Sequence, residues 1–541
     1  MSSTIKRNKY EIDMCNGTIM DKLISFSLPL MLSGILQLMF NAVDIIVIGR
    51  FSGSQSLAAV GSTTALINMF TNLFIGISLG ANVLSARFYA AGKDKEMSET
   101  VHTAITLALI SGIIMVFVGL IFAKPVLELM DTPDDVINLS TLYMRIYFMG
   151  MPFFMLYNYG ASILRAVGDT KRPLFYLIVA GIANAGLNMC LVIIFHLGVA
   201  GVAIGTVISQ LISSILVLRC LYRSETSYQL RFSKLKIQKE YLKQIFQVGI
   251  PAGIQSTVIN FSNVLLQSSV NSFGSIAMAG YTAANNIFGF LYVTVNAVTQ
   301  ACMSFTSQNY GVGKWKRMDR VLIDCLILSF VAMMILGNSA YFFGPKLLTI
   351  YTSNSKVIQC GMEILLYTTV TYFLCGFMDL FPGALRGMGR SGVPMILSII
   401  GTVGTRIVWI FWIFPNHRSL DILFISYPAS WIITIVLQVI CYYFVRKQLI
   451  CKNEGRSIIT NRQYINQNWK NVLPFFVGIL HIGILFFLFM NMNLRNCYII
   501  IENRMFFFFF LFYFINMFLN LIKIFCMDLG YCNIFAFHFI F

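Results

Sequence analysis

The sequence predicts an all-α integral membrane protein with twelve transmembrane helices in two six-helix lobes related by a parallel internal repeat. Three observations carry this prediction: the composition, the spacing of apolar segments, and a repeat at a fixed sequence distance. Of the 541 residues, 57% are hydrophobic and only 11% are charged, whereas a soluble domain has roughly 45–50% apolar and about 25% charged residues. So few charged side chains cannot cover a soluble protein of this size, so lipid must cover most of the surface.

Apolar segments long enough to cross a hydrocarbon core of about 30 Å as a helix recur along the chain. The predicted spans 1 to 12 cover residues 23–48, 57–84, 101–122, 139–163, 174–195, 199–222, 245–272, 276–303, 321–344, 358–383, 394–414 and 422–445. Because an unpaired backbone group is costly in lipid, the spans must pack as a helical bundle. No A-x-A cleavage site follows the polar segment 1–22, so span 1 is not expected to be a cleaved signal peptide.

Lys and Arg are distributed unequally between the connecting segments. One set of alternate segments, which includes the N-terminal tail and residues 446–470, holds 29 of them, whereas the other set holds five. By the positive-inside rule, the N-terminus and the end of span 12 should lie in the cytoplasm. The net charge of +17 is therefore interpreted as a sign of topology. Nucleic acid is not expected as a partner, because the aromatic residues lie in apolar runs and not among basic residues.

A repeat at a constant sequence offset divides the chain into two halves. It aligns Tyr89, Gly92, Lys93, Lys95 and Met97 with Tyr310, Gly313, Lys314, Lys316 and Met318, and Leu164, Arg165, Gly168 and Pro173 with Leu385, Arg386, Gly389 and Pro394. Each half holds an even number of spans, so both have the same orientation, as in transporters with parallel repeats that bind substrate near the midplane. A duplicated membrane scaffold without transport is the alternative.

The predicted domain organisation follows from the repeat and the charge distribution. It consists of a cytoplasmic N-terminal tail (1–22), an N-lobe (23–222), a cytoplasmic linker (223–243), a C-lobe (244–447) and a Phe-rich extension (448–541). The basic linker is expected to be amphipathic, with anionic lipid headgroups as its partners. The extension has no counterpart in either half and is interpreted as a low-complexity segment, with one or two extra spans as the alternative.

Signatures of enzymes are absent from the sequence. It contains no G-x-x-x-x-G-K-[ST] phosphate loop and no H-E-x-x-H pair. The 12 Cys include no C-x-x-C pair, so neither a zinc site nor a disulfide framework is predicted. Neither enzymatic activity nor a cofactor is expected, and transport driven by an ion gradient is the function class that remains.

Asp44 in span 1 is the acidic residue that lies well inside an apolar run of the N-lobe. A carboxylate at this depth is costly and normally functional. At a helical rise of about 1.5 Å per residue, Asp44, Asn188 and Thr206 lie about 10 Å below the outer surface, with Asn184 one turn deeper. These groups suit H⁺ or Na⁺, with Asp44, Asn184 and Asn188 as Na⁺ ligands. For Asn184 and Thr206, simple hydrogen bonding between helices is the alternative. Pro29, earlier in span 1, permits a kink.

The C-lobe lacks a carboxylate at the position that repeats Asp44. Span 7 instead carries four polar uncharged residues, Gln255, Asn260, Asn263 and Gln267. The last three lie on one helical face. We expect them to form a polar wall of the substrate cavity.

Other charged residues within the C-lobe spans have open roles. Asp379 lies in span 10, and Arg386 lies in the loop that follows this span. Asp379 is interpreted either as a substrate or coupling residue or as the ion-pair partner of Arg386. Arg406 in span 11 is equally ambiguous. Asp324 and Glu363 lie near span ends and are expected to be solvated.

Several motifs in order and spacing resemble the multidrug and toxic compound extrusion (MATE) transporters. They are S-L-P-L-M-L-S-G-I-L-Q before Asp44, the loops L-R-A-V-G-D-T-K-R-P and L-R-G-M-G-R-S-G-V-P, and A-N-A-G-L-N around Asn184 and Asn188. The resemblance covers about residues 20–447. It implies a multi-pass antiporter of the bacterial cytoplasmic membrane that expels cationic or amphipathic drugs or toxins in exchange for Na⁺ or H⁺.

The resemblance also implies which residues couple transport to the cation. In the family, an acidic residue of the first helix acts with polar residues of helices 4, 5 and 6, which correspond here to Asp44, Asn158, Asn184, Asn188 and Thr206. Some members carry acidic residues at the start of the seventh helix, where this chain has Gln255 and Asn260, and this argues against cation coupling in the C-lobe. The expected partners are small-molecule substrates and membrane lipid, and the expected state is a monomer.

Two other classes of protein are weighed against an efflux antiporter. A lipid-linked oligosaccharide or lipid flippase has a related architecture, but its cavity should be rich in Arg and Lys. Here the basic residues within spans are nearly confined to Arg145 and Arg406. A membrane-embedded enzyme or receptor scaffold is disfavoured because no catalytic constellation is present.

Overall fold

The structure is a computed structural model that describes residues 9–130, 132–416 and 418–454. Over these ranges, the regular secondary structure is helical and contains no strand. The predicted all-α class is confirmed. Apart from residues 448–454, the predicted Phe-rich extension lies outside the described residues.

The N-lobe consists of seven α-helices and one π-helical turn. They are α1 (Met20–Phe51), α2 (Gly53–Ala90), α3 (Asp94–Leu129), α4 (Asp134–Met149), α5 (Met151–Ala166), α6 (Lys171–Met189), the π-turn Cys190–Ile194, and α7 (Gly198–Tyr222). Helices α4 and α5 together cover predicted span 4. Helix α6 and the π-turn together cover span 5.

The C-lobe repeats this arrangement with more interruptions. It contains α8 (Lys239–Asn271), α9 (Ser275–Gly311), α10 (Trp315–Phe342), α11 (Gly344–Thr349), α12 (Ser355–Thr369), α13 (Tyr372–Gly387), α14 (Gly392–Ser398), α15 (Thr405–Val408) and α16 (Leu420–Glu454). Two π-helical segments, Ile399–Gly404 and Trp409–Ile413, flank α15. Span 11 is therefore helical throughout but irregular in its hydrogen bonding.

Within the described ranges, nine helical segments are long and apolar enough to cross a membrane. The pair α12 and α13, bent by 44°, adds a tenth. The predicted total of twelve would also include α4 with α5, and α8. Because α8 carries many polar residues, its apolar character is weaker than that of the other long helices. A multi-pass helical bundle is thus confirmed, and the total of twelve stays a prediction.

Spans 4 and 10, each predicted as one helix, are interrupted at repeat-related positions. Helix α4 ends at Met149 and α5 begins at Met151, and α12 ends at Thr369 and α13 begins at Tyr372. In span 4, Pro152 lies in the first turn of α5, where its missing N–H costs no intrahelical hydrogen bond. In span 10 the Thr371 hydroxyl donates to the Tyr367 carbonyl at 2.7 Å, which competes with regular helix geometry.

The repeat extends to backbone conformation in the loops. Glycines with positive φ occur in three pairs related by the repeat: Gly53 (83°) and Gly274 (93°), Gly92 (66°) and Gly313 (69°), Gly168 (98°) and Gly389 (78°). This region of φ is readily accessible to glycine and costly for most other residues. The two halves therefore share the same turns between helices, as the sequence repeat predicts.

The linker between the lobes packs against α3 in addition to any contact with lipid. Its Tyr228 and Leu230 are fully buried. The backbone N–H of Arg231 donates to His102 Nε2 at 3.1 Å, and that of Gln238 donates to Thr103 Oγ1 at 3.2 Å. Over residues 223–238 the only helical turn in the described chain is the 3₁₀ turn Phe232–Lys234, so a continuous amphipathic helix does not form there.

The lobes are joined at one end of the bundle, where residues 82–87, 165–166 and 300–311 meet. Ser304 Oγ donates to Asn82 Oδ1 at 3.1 Å, and Gln308 Nε2 donates to the Ala166 carbonyl at 2.7 Å. Glycines allow α2 and α8 to approach closely, because a Cβ on Gly76 would lie 2.4 Å from the backbone of Gly253. Small residues at such crossings are typical of helix packing in membranes.

The chain before α1 also contacts both lobes at this end. We call residues 9–19 the N-terminal segment. Met14 within it is 0% exposed, and its carbonyl accepts from Asn309 Nδ2 of the C-lobe at 3.1 Å. The Ile12 N–H donates to the Gly168 carbonyl of the N-lobe at 3.3 Å. This part of the predicted tail is therefore packed structure.

The expectation that Asp324 is solvated is wrong. Asp324 is only 5% exposed, and Arg320, one turn earlier on α10, donates to its carboxylate at 3.1 Å. Burial is tolerated because this ion pair compensates the charge. Glu363 is half-buried.

Candidate cation-coupling site

Asp44 lies at the centre of a chain of polar side chains contributed by three helices of the N-lobe. It is 8% exposed, and its Oδ1 accepts a hydrogen bond from Asn188 Nδ2 at 2.5 Å. The same Asn188 amide donates to Asn184 Oδ1 at 3.3 Å. Asn184 Nδ2 in turn donates to Thr206 Oγ1 at 3.4 Å, and Thr206 is also a hydrogen-bonding partner of Asp44. The predicted carboxylate, two amides and hydroxyl therefore converge.

The helices can approach closely enough to form this arrangement because glycines lie at two of the contacts between them. A Cβ on Gly205 of α7 would lie 2.2 Å from Asn188 Oδ1, and one on Gly181 of α6 would lie 1.7 Å from the Phe40 ring of α1. Any larger residue would displace either the amide or the first helix. These glycines position the site, although neither carries a functional group.

One acceptor in the site has no hydrogen bond. Asn188 Oδ1 is buried and lacks a partner within the described structure, although buried polar atoms are nearly always paired. No Lys or Arg of the described residues forms an ion pair with Asp44. The site therefore offers a carboxylate and a free amide oxygen, and such oxygen ligands suit a hard cation such as Na⁺.

Two tyrosines of α4 add hydroxyl groups near the carboxylate. Tyr143 and Tyr147 have ring centroids 6.0 Å apart, and both interact electrostatically with Asp44. Sequence reasoning missed them. Their i and i+4 spacing within span 4 was the only available signal, and aromatic residues at that spacing are more often simple packing.

Asn158 and Pro29 do not join the hydrogen-bonded chain. Asn158 Nδ2 donates to the Phe154 carbonyl of its own helix at 2.8 Å. Pro29 lies inside α1, which continues as one helix from Met20 to Phe51. The Ser33 hydroxyl donates to the Pro29 carbonyl at 2.8 Å. The coupling role of Asn158 and the hinge role of Pro29 stay predictions.

Of the four polar residues predicted on span 7, two accept hydrogen bonds from arginines, and the other two are exposed or half-buried. Gln255 Oε1 accepts from Arg386 Nη2 at 2.8 Å, and Asn263 Oδ1 accepts from Arg406 Nη1 at 2.7 Å. Asn260 is exposed and Gln267 half-buried. Their role as a cavity wall stays a prediction.

Asp379 is half-buried on α13. No ion pair within 4 Å joins it to Arg386, or to another basic residue in the described part of the chain. Of the two predicted roles, direct pairing with Arg386 is therefore not what the structure shows, since Arg386 donates to Gln255 instead. A role in substrate binding or coupling stays a prediction.

A duplicated helical membrane bundle with a buried carboxylate that lacks a basic partner in one lobe is typical of one class of protein, the multi-pass membrane transporters. Comparison with known proteins identifies the family. The family model described as MatE matches residues 29–194 and 251–412, which is more than half of the chain. The chain belongs to the MATE family, and the predicted resemblance is confirmed.

Relatives of the chain include bacterial multidrug transport proteins. The chain is 30% identical over 434 residues to the probable multidrug resistance protein YoeA of Bacillus subtilis (strain 168), covering 78% of this chain and 93% of that protein. It is 23% identical over 380 residues to the multidrug export protein MepA of Staphylococcus aureus (strain NCTC 8325 / PS 47), covering 70% and 84%. The chain is thus a multi-pass membrane transporter.

Solved structures share the fold. A structure described as an outward-facing conformation of a multidrug resistance MATE family transporter has a TM-score of 0.75 at 20% identity and covers 82% of this chain and 99% of its own. A MATE structure in the bent conformation has a TM-score of 0.72 at 20% identity and covers 83% and 96%. At this identity the likeness concerns the fold alone.

Proposed function

We propose that the protein is a secondary active multidrug efflux antiporter. It expels cationic or amphipathic compounds across a bacterial cytoplasmic membrane in exchange for Na⁺ or H⁺. The names of the YoeA and MepA relatives support the substrate class. The excess of Lys and Arg on one set of loops supports a cytoplasmic location for both lobe termini, and a monomer is the proposed state.

The observation that carries this proposal is the environment of Asp44. Its carboxylate is buried, and its hydrogen-bonding partners are the neutral side chains Asn188 and Thr206. A buried carboxylate without a basic partner must either take up a proton or bind a cation. Asp44 would therefore exist in two states, with and without a bound H⁺ or Na⁺, and these states supply the switch that antiport needs.

The inter-lobe contacts support an outward-open conformation. The hydrogen bonds that Asn82 and Ala166 accept from the C-lobe lie at the end of the bundle that the charge distribution assigns to the cytoplasm. In the proposed cycle, cation uptake at Asp44 bends α1 at Pro29 and displaces substrate outward. The lobes then rock to open inward, the ion leaves, and new substrate binds. Coupling requires that ion and substrate differ in affinity for the two states.

The direct test is efflux of a fluorescent cation from proteoliposomes under imposed Na⁺ or H⁺ gradients. Asp44→Asn should abolish gradient-driven transport, since an amide can neither take up a proton nor carry the charge that binds Na⁺. The gradient that drives the wild type identifies the coupling ion.

A matched control removes an exposed carboxylate. Asp421 lies in the first turn of α16 and is exposed, so Asp421→Asn should transport like the wild type. Retained gradient-driven efflux by a correctly folded Asp44→Asn protein would refute the assignment.

A further inference from the structure

The C-lobe contains a buried arginine whose charge is not balanced by an acidic residue. Arg406 is only 3% exposed. Its hydrogen bonds go to neutral oxygens: Nη1 donates to Ser262 Oγ at 2.8 Å and to Asn263 Oδ1 at 2.7 Å, and Nε donates to Ser430 Oγ at 3.4 Å. Within the described chain no Asp or Glu forms an ion pair with it. A charge at membrane depth with only neutral partners is a candidate functional site.

This arginine occupies the place in the C-lobe that the Asp44 site occupies in the N-lobe. The Asp44 site is built from spans 1, 5 and 6. Arg406 lies on span 11 and its partners come from spans 7 and 12, so its site is built from the three spans that repeat them in order. Thr206 and Tyr427 are related by the same sequence offset that aligns the two halves. The two lobes thus place charges of opposite sign within corresponding sets of three helices, the acid on the first span of one lobe and the arginine on the fifth span of the other.

Aromatic rings line one side of the guanidinium group. The Arg406 Cζ lies 4.7 Å from the centroid of the Tyr427 ring. Tyr427 packs against Trp431 at 5.8 Å, and Trp431 packs against Tyr372 at 5.7 Å. An aromatic wall beside a cation suits a planar organic anion, because the ring packs on the wall while its acidic group meets the guanidinium.

The guanidinium retains a donor for such a ligand. Its Nη2 makes no hydrogen bond with the described residues. Asn263 beside it is half-buried, and Asn260, one turn earlier on the same helix, is exposed. Asn260 and Asn263 form a polar strip on this face of α8, and this is the side from which a ligand would approach Arg406.

We propose that Arg406 and the aromatic side chains beside it bind the carboxylate of an aromatic compound. The guanidinium donates to the carboxylate, and Tyr427 and Trp431 contact the ring. This site is separate from the proposed cation coupling at Asp44, and its occupancy can be measured without an ion gradient.

The test is equilibrium dialysis of the purified full-length protein with radiolabelled 1-naphthoate. 1-Naphthamide has the same ring without the charge and serves as the matched ligand control. We expect saturable naphthoate binding that is at least about tenfold tighter than naphthamide binding, and a similar loss in Arg406→Gln. Arg145→Gln, which changes an exposed arginine of α4 in the other lobe, should bind naphthoate like the wild type.

A second variant keeps the test decisive if Arg406→Gln fails to fold. Asn263→Asp places a carboxylate next to Arg406 with little change in shape. It should raise the thermal stability of the protein and abolish naphthoate binding, since the internal carboxylate occupies the site.

Three results would overturn the proposal: equal affinity for naphthoate and naphthamide, unchanged naphthoate affinity in folded Arg406→Gln, or displacement of naphthoate by chloride at equal concentration. Asp44→Asn should still bind naphthoate. A failure of cation coupling is therefore distinguishable from a failure of the anion site.

Discussion

Asn188 connects the carboxylate of Asp44 to the rest of the candidate cation site. Its amide donates to both Asp44 and Asn184, and its Oδ1 is left free by the absence of a side chain at Gly205. The arrangement of polar groups around Asp44 thus depends on Gly205, although Gly205 has no functional side chain. Asp44 was predictable because a lone acid in an apolar run is conspicuous, whereas nothing in the sequence distinguishes Gly205 from the other glycines.

At the residue scale, we predict that Gly205→Ala impairs cation coupling. The added Cβ would lie 2.2 Å from Asn188 Oδ1, so the amide must move away from Asp44, and such overpacking costs roughly 1–3 kcal/mol. The affinity for the coupling ion, measured from the ion dependence of efflux, should fall severalfold.

Gly186→Ala is the matched control for that prediction. A Cβ on Gly186 of α6 meets nothing within 4 Å, and alanine favours a helix by about 1 kcal/mol relative to glycine. This variant should keep the wild-type ion affinity and be no less stable. Unchanged ion affinity in Gly205→Ala would show that Asn188 does not need its observed position.

At the element scale, the N-terminal segment bridges the two lobes. Tyr89 and Tyr228 donate to the two carboxylate oxygens of Glu11, each at 2.6 Å. On the C-lobe side, Arg317 donates to the carbonyls of Met14, Asn16 and Gly17 at 2.8–3.1 Å. A segment bonded to both lobes favours the state in which they are closed together at this end.

We predict that Arg317→Ala loosens this end of the bundle. Hydrogen bonds to charged groups contribute about 1.5–3 kcal/mol each, and the substitution removes three. Cys15 lies in the N-terminal segment, is buried, and contacts Gln308 at 3.8 Å, so it reports on opening. Alkylation of Cys15 by a membrane-permeant maleimide should become severalfold faster than in the wild type.

Arg390→Ala provides the comparison for Arg317→Ala. Arg390 is exposed in another loop of the C-lobe, so its removal should leave Cys15 alkylation unchanged. Equal alkylation rates in Arg317→Ala and the wild type would contradict a bridging role for the segment.

At the scale of the whole molecule, the proposed transport cycle requires the lobes to separate where they now touch. Ser304 of α9 bonds to Asn82 of α2, and Gln308 bonds to Ala166. Each of these hydrogen bonds joins one residue of the N-lobe to one residue of the C-lobe. The two residues are close in space although they are far apart in the sequence. Inward opening must break these hydrogen bonds.

We predict that covalently joining the lobes at this contact stops transport. In the double variant Asn82→Cys, Ser304→Cys, oxidation should form a disulfide that prevents inward opening and blocks efflux from proteoliposomes. Reduction should restore it. The two single variants, which retain the native cysteines, should transport equally before and after oxidation. Full efflux by the fully cross-linked protein would exclude rocking of the lobes as the mechanism.

Composition, periodicity and motifs established the membrane class, the duplication and the family, and they predicted a role for Asp44, because none of these inferences requires a fold. Tertiary structure alone decided the interruptions in spans 4 and 10, the packing of the N-terminal segment and the surroundings of Arg406. These depend on which side chains from distant segments meet. The sequence could mark Arg406 as unusual, but only its partners Ser262, Asn263 and Ser430 reveal that its charge is left unbalanced.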